Sequence, residues 1–189
     1  MISGKKVGII DYGAGNLGSI NNAMQYLDAK TKIISSPSEL NQLSHLILPG
    51  VGSFGKLAEN LKKKDWPNEI KNFVKKGNTL LGVCVGMQLL FEQSEESYEA
   101  TGLSLIKGKI NIFDKSNNLP LPHVGFNEVE HKNTPIWKGI ENKSPFYFIH
   151  SFRIRKTQDN AIAAKTTYGN EFVSFIEKDN IYGSQFHPE

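Results

Sequence analysis

The chain holds a single cysteine, and its neighbours make it the first residue to weigh. Cys84 sits in Gly82-Val83-Cys84-Val85-Gly86, within an apolar stretch over residues 79–91. This G-x-C-x-G pattern is the nucleophile elbow with cysteine in place of serine, a sharp strand-to-helix turn whose strained backbone needs small neighbours. The leading apolar run reads as a buried strand, and Met87, Leu90 and Phe91 then recur at helical spacing. An elbow of this kind sets the sulfur at a helix start, where the dipole and free N–H groups favour a thiolate. A buried structural cysteine is the competing reading. A nucleophilic thiol needs a base, and of the five histidines only His187 brings a carboxylate in its own local frame, His187-Pro188-Glu189. Proline fixes that spacing so that Glu189 accepts from one imidazole nitrogen and leaves the other for a thiol.

The elements that must position these groups are legible from periodicity. Residues 6–11, 31–34, 45–48 and 79–83 read as strands. A helix marked by Ile20, Ala23, Met24 and Leu27, capped by Ser19, follows the first of them. A second helix over 67–76 turns Ile70, Phe73 and Val74 inward and stops at Gly77. Alternating strands and helices imply an open, mostly parallel α/β sheet flanked by helices. Beyond Gly102 short β-rich pieces follow, at 109–113, 124–129, 146–149, 161–166, 172–176 and 181–186, which predict antiparallel or mixed strands completing that sheet. Sites in such sheets form at the carboxyl ends of parallel strands. His45 opens its strand and is expected at the opposite edge, and His131, beside Lys132 and Asn133, is expected to face solvent. His123, His150 and His187 remain, with His150 the competitor of His187 for the role of base. Two glycine-rich turns stand out. Gly13-x-Gly15-x-x-Gly18 has the letters of a dinucleotide-binding fingerprint, but Asp11 beside it would repel a pyrophosphate and the second strand ends without an acidic residue for a ribose. Pro49-Gly50-Val51-Gly52 is either an ordinary tight turn or a turn that points backbone N–H groups at an anion.

The bulk properties bound the rest. With 189 residues the chain reads as one domain, 1–189, able to bury a core without disulfides. One cysteine suits a reducing compartment, the first residues, Met1-Ile2-Ser3-Gly4-Lys5, show no signal-peptide pattern, and no run reaches the length of a membrane span. The expectation is therefore a cytoplasmic protein. A net charge of +3 is modest, and Lys62-Lys63-Lys64 is cut by Asp65, so a solvated helix face explains it better than a nucleic-acid surface.

Taken together, Gly82-Val83-Cys84-Val85-Gly86-Met87-Gln88 and Gln185-Phe186-His187-Pro188-Glu189 resemble the class I (triad) glutamine amidotransferases. Asp11-Tyr12-Gly13-Ala14-Gly15-Asn16, Pro49-Gly50-Val51-Gly52-Ser53-Phe54, Pro122-His123-Val124-Gly125-Phe126-Asn127 and Phe148-Ile149-His150-Ser151-Phe152 narrow the resemblance to the glutaminase subunits of imidazole glycerol phosphate synthase. The resemblance spans nearly the whole chain. It implies a flavodoxin-like amidotransferase domain and a Cys84–His187–Glu189 triad that hydrolyses glutamine through a γ-glutamyl thioester. It further implies an oxyanion hole of backbone N–H groups from Val85 and the Gly50-Val51-Gly52 turn, and Gln88 and Ser151 near bound glutamine. No cofactor or metal is implied. The implied partner is a (βα)8-barrel cyclase that consumes the ammonia to make imidazole glycerol phosphate and an aminoimidazole carboxamide ribotide, on the pathways to histidine and purines. Two departures stand against this family's pattern. Phe126 occupies a position usually held by Trp, which brings in relatives that supply ammonia for sugar amidation in surface-polysaccharide synthesis. Glu189 ends the sequence where the family continues into a final helix, so a truncated chain is expected.

Overall fold

The computed structural model describes residues 6–114, 119–158 and 160–189. Residues 1–5, on which the expectation about a signal peptide rests, lie outside the described residues. The first half alternates: β1 (Lys6–Ile10), α1 (Leu17–Tyr26), β2 (Lys30–Ile34), β3 (His45–Leu48), α2 (Phe54–Lys63), α3 (Trp66–Lys75), β4 (Thr79–Val83) and the one-turn α4 (Val85–Gln88). Strands then dominate: β5 (Gln93–Ser94), β6 (Ser97–Thr101), β7 (Lys109–Ile112), β8 (His123–His131), β9 (Ser144–His150), β10 (Phe152–Ile154), β11 (Ile162–Tyr168), β12 (Asn170–Lys178) and β13 (Ile181–Ser184).

The sheet runs β2-β1-β3-β4-β13-β12-β10-β7-β5-β6, and its first five strands are parallel. The chain returns at its end to lay β13 in parallel beside β4, with Gly82 opposite Gly183 and Val83 opposite Ser184. From β12 outward most pairings are antiparallel, and β11, β8 and β9 form a ribbon extending from β12. This mixed sheet with flanking helices is the architecture that the alternation of elements predicts. Among the described residues, no helix is long and apolar enough to cross a membrane.

Two local differences from the sequence reading have physical causes, while the expectation for the lysine run is met. Helix α1 is capped by Asn16 rather than Ser19. The Asn16 side chain accepts from the Ser19 N–H at 3.4 Å, so the helix begins at Leu17. The basic run ends α2, which buries Phe54, Leu57, Ala58 and Leu61 at helical spacing while its lysines stay in water. The helix after Cys84 lasts only one turn instead of reaching Phe91. The carbonyls of Leu89, Leu90 and Phe91 are taken by the N–H groups of Leu103, Leu105 and Ser104, which pull the chain out of helical register.

Two glycines let the elbow close. A Cβ on Gly86 would lie 1.9 Å from the Leu48 carbonyl oxygen, and one on Gly82 would lie 2.6 Å from the Gly86 oxygen. These neighbours are backbone held in the sheet, so a side chain finds no room by rotation. Gly86→Ala is therefore expected to destabilise the fold by about 3 kcal/mol or more. Urea unfolding of the variant against the parent protein measures this, and a midpoint unchanged within error would show that the elbow is looser than its geometry.

Candidate active site

Cys84 occupies the apex between β4 and α4 with φ 55° and ψ −115°, a left-handed conformation that costs energy for any residue with a Cβ. Strain at one residue between two glycines is what the sharp strand-to-helix turn of a nucleophile elbow requires. The thiol is 3 % exposed, and its sulfur faces the Ile149 carbonyl at 4.0 Å.

His187 reaches the same place from the other side. Strand β13 runs beside β4, the Cys84 N–H donates to the Ser184 carbonyl at 2.7 Å, and His187 follows three residues on. Its own N–H donates to the Tyr147 carbonyl at 2.9 Å, which fastens it to β9. Nδ1 of His187 lies 2.9 Å from Oε1 of Glu189, the contact expected of His-Pro-Glu. Nε2 is buried without a regular hydrogen bond. The sulfur of Cys84 and then Glu189 stabilise the charged ring strongly enough to raise the imidazole pKa to about 10, against the opposing effect of burial. Burial pushes the Glu189 carboxyl up, and the hydrogen bond and charge of His187 together with a backbone hydrogen bond outweigh it and hold the carboxyl below the ordinary range. A histidine raised in this way contributes stability that is fully present below its unfolded pKa of about 6.5 and is lost as pH rises through about 10.

His150, the competing base, is spent elsewhere. Its Nδ1 meets the Phe152 carbonyl at 2.8 Å, which only accepts, so this nitrogen carries the proton. Its Nε2 is then the acceptor for Nδ1 of His123 at 3.2 Å. His123 stacks on Tyr168 with ring centroids 4.0 Å apart and on Phe148 at 5.0 Å. Burial pushes the pKa of His150 down to about 3 and that of His123 down to about 4. Both rings are neutral in the fold, so unfolding at low pH binds protons that the native state refuses. Stability is expected to hold above about pH 6.5 and then to fall by roughly 1 kcal/mol per pH unit for each ring as pH drops toward about 4. Thermal unfolding of the His123→Phe variant between pH 4 and 7 checks this. A slope as steep as that of the parent protein would contradict it. His131 is not the solvent-facing residue that its polar neighbours suggest, because its ring stacks on Trp137 at 4.4 Å. His45 bonds the Ser44 hydroxyl at the strand edge away from Cys84, as expected.

The remaining predicted residues gather around the sulfur in a particular state. The Gly50 turn packs directly on the elbow, since a Cβ on Gly50 would lie 2.2 Å from the Gly86 nitrogen. The Val85 N–H, a predicted oxyanion donor, donates instead to the Gly50 carbonyl at 3.2 Å. The turn is held at both ends, by the Tyr12 hydroxyl on the Pro49 carbonyl and by the Phe54 N–H on Oε2 of Glu96 at 2.7 Å. Between these anchors lie Val51, half exposed, and Gly52 at φ 130°. Gln88 is buried and donates through Nε2 to the Phe152 carbonyl at 3.2 Å and to Oε1 of Gln185 at 2.9 Å. Gln185, which sequence reasoning did not single out, places its own Nε2 3.9 Å from the Cys84 sulfur. Ser151 is partly buried just past β9. Of the dinucleotide-like glycines, Gly15 serves packing, since a Cβ there would lie 2.7 Å from Pro49, and the Gly13 N–H is taken by the Asp11 carboxylate at 3.0 Å.

Known proteins resemble this chain along nearly its whole length. Residues 8–189 match the family described as glutamine amidotransferase class-I. The chain is 42 % identical to the imidazole glycerol phosphate synthase subunit HisH of Helicobacter hepaticus, over 97 % of this chain and 91 % of that one. It is 45 % identical to the HisH subunit of Methanocaldococcus jannaschii, over 97 % and 91 %. Among solved structures it resembles a glutamine amidotransferase with a TM-score of 0.77 at 19 % identity, covering 96 % of this chain and 89 % of that one. A glutamine amidotransferase from Thermotoga maritima gives a TM-score of 0.66 at 16 % identity, covering 97 % and 75 %.

Proposed function

Since the chain belongs to the class-I glutamine amidotransferase family, and within it to the HisH subunits of imidazole glycerol phosphate synthase, we propose that Cys84, His187 and Glu189 are its glutaminase triad. The function supported best is that of the subunit that hydrolyses glutamine to glutamate and passes ammonia to a partner, in the step of histidine biosynthesis that forms imidazole glycerol phosphate. The observation that carries the triad is the strained apex at Cys84 together with the Glu189-bound His187, whose charged ring the Cys84 sulfur stabilises.

The chemistry follows from these groups. The Cys84 thiolate attacks the carboxamide carbon of glutamine and forms a tetrahedral intermediate. His187, held as imidazolium between sulfur and Glu189, gives its proton to the departing nitrogen, and ammonia leaves a γ-glutamyl thioester. The neutral imidazole then takes a proton from water as that water attacks the thioester, and glutamate departs with the thiolate restored. Glu189 fixes the ring through Nδ1, so Nε2 is the nitrogen that exchanges protons. Gln88, whose N–H groups turn to Phe152 and Gln185, and Ser151 are the proposed contacts to bound glutamine. Backbone N–H groups of Val85 and of the Gly50-Val51-Gly52 turn are the proposed oxyanion donors, which requires the Gly50 peptide to turn away from Val85.

Ammonia released into water at neutral pH becomes ammonium and is no nucleophile, so a partner has to receive it directly. The reading takes that partner to be a (βα)8-barrel cyclase. Val51, Val124, Phe126 and Ile149 stand exposed, and Ile149 is the residue whose carbonyl faces the Cys84 sulfur. An apolar rim beside a reactive thiol suits a surface that another subunit covers. The test is glutamine consumption with purified barrel cyclase and its phosphoribosyl ligand. Matched release of glutamate and imidazole glycerol phosphate is expected, and glutamate release that never couples to product would overturn the assignment.

A further inference from the structure

We propose that Gln185 holds the Cys84 sulfur in its thiolate form, and that Gln88 fixes the Gln185 amide in the orientation that does so. The inference rests on the reading of Cys84 as the nucleophile. A one-turn helix has too few aligned peptides to stabilise a charge at its start, so the help expected from a dipole at this elbow has to come from elsewhere. A side-chain donor stands within reach of the sulfur: Nε2 of Gln185, at 3.9 Å.

The direction of that amide follows from its neighbours. The Phe152 carbonyl accepts and cannot donate, so the atom of Gln88 that faces it is the NH2 group. The same nitrogen donates to Gln185, which must therefore present its oxygen to Gln88 and its NH2 to the sulfur. Both glutamines are buried, at 2 % and 0 % exposure, and the backbone locks the site. The Gln185 N–H donates to the Ser174 carbonyl at 2.9 Å, and the parallel register of β4 and β13 sets Gln185 beside Cys84. Gln185 and His187 stand two residues apart, across the bend that follows β13. One supplies a neutral donor to the sulfur and the other a charged one. A donor that bonds the thiolate more strongly than the thiol favours ionisation.

Because Cys84 is the only cysteine, alkylation by iodoacetamide reads its ionisation without any substrate. In Gln185→Met, which keeps length and loses the donor, the midpoint of the alkylation rate against pH is expected to rise by about one unit. In Gln185→Glu, which keeps shape and sets a carboxylate against the sulfur, it is expected to rise further. Gln88→Met, which leaves Gln185 in place and frees its amide to turn, is expected to shift the midpoint in the same direction and serves if Gln185→Met does not fold. A merely structural glutamine would lower the melting temperature and leave the midpoint where it is, and unchanged midpoints in the folded variants would overturn the proposal. Glutamine hydrolysis by Cys84→Ala, measured separately, would defeat the nucleophile reading without touching the alkylation result.

Discussion

Replacing Cys84 by alanine is expected to lower glutamine hydrolysis by at least about a thousandfold, measured as glutamate release by the complex with its cyclase and nucleotide ligand. The size follows from the roles assigned around the sulfur. In the proposed triad His187, oriented by Glu189, exchanges protons beside the sulfur, and the Gln185 amide, held by Gln88, points at the same atom. Groups that act as a unit lose nearly everything when the reacting member is removed. The fold is expected to tolerate the change. Alanine keeps a Cβ at the strained φ that cysteine already accepts, and the loss of one buried sulfur costs on the order of 1 kcal/mol. Activity lost with a melting temperature within a few degrees of the parent protein is the expected pair of results. Activity retained would make Cys84 a packing residue and leave His187 with nothing to serve.

The second large effect concerns the partner. The isolated chain is expected to hydrolyse glutamine weakly, and addition of cyclase with its ligand is expected to raise turnover by about a hundredfold or more. The reason lies in one hydrogen bond. The Val85 N–H is the backbone donor next to the nucleophile, and in this structure the Gly50 carbonyl occupies it at 3.2 Å. An oxyanion in that place would meet a carbonyl oxygen instead of a donor, and a single missing donor costs about 10²–10³ in rate. The turn that has to move is pinned at Pro49 and Phe54, and between them Val51 reaches solvent, as do Phe126 and Ile149 on the ribbon that faces the sulfur through Ile149. A subunit seated on that rim can therefore rotate the Gly50–Val51 peptide without disturbing the sheet beneath. Steady-state turnover of the chain alone, with cyclase, and with cyclase plus ligand measures the effect. Full activity in the isolated chain would mean that the Gly50–Val85 bond does not limit the reaction.

The parts of this site that could be read from residue order are those fixed by local rules. Gly82 and Gly86 flank Cys84 because backbone passes where their side chains would stand, and such a need leaves its mark within five residues. His-Pro-Glu declares its own geometry for the same reason. The parallel first half was legible because its strands are short, apolar and separated by helical periodicity. What could not be read depends on register and peptide orientation. Gln185 matters because β13 returns beside β4 in one register, and a shift of a single residue would turn it away. The closed state of the oxyanion site depends on which way one peptide faces, a choice to which glycine is indifferent. The hairpin of β5 and β6 escaped notice because Ser97–Thr101 is polar and mostly exposed, with no alternation to betray a strand.

The central claim is that hydrolysis passes through a covalent bond between glutamine and the sulfur. It is tested most directly by acid-quenching the active complex during turnover and weighing the peptide that carries Cys84. The account predicts a fraction of that peptide heavier by one γ-glutamyl group, absent without glutamine. Rapid turnover with the peptide unmodified at every quench time, and with no early burst of ammonia, would contradict it.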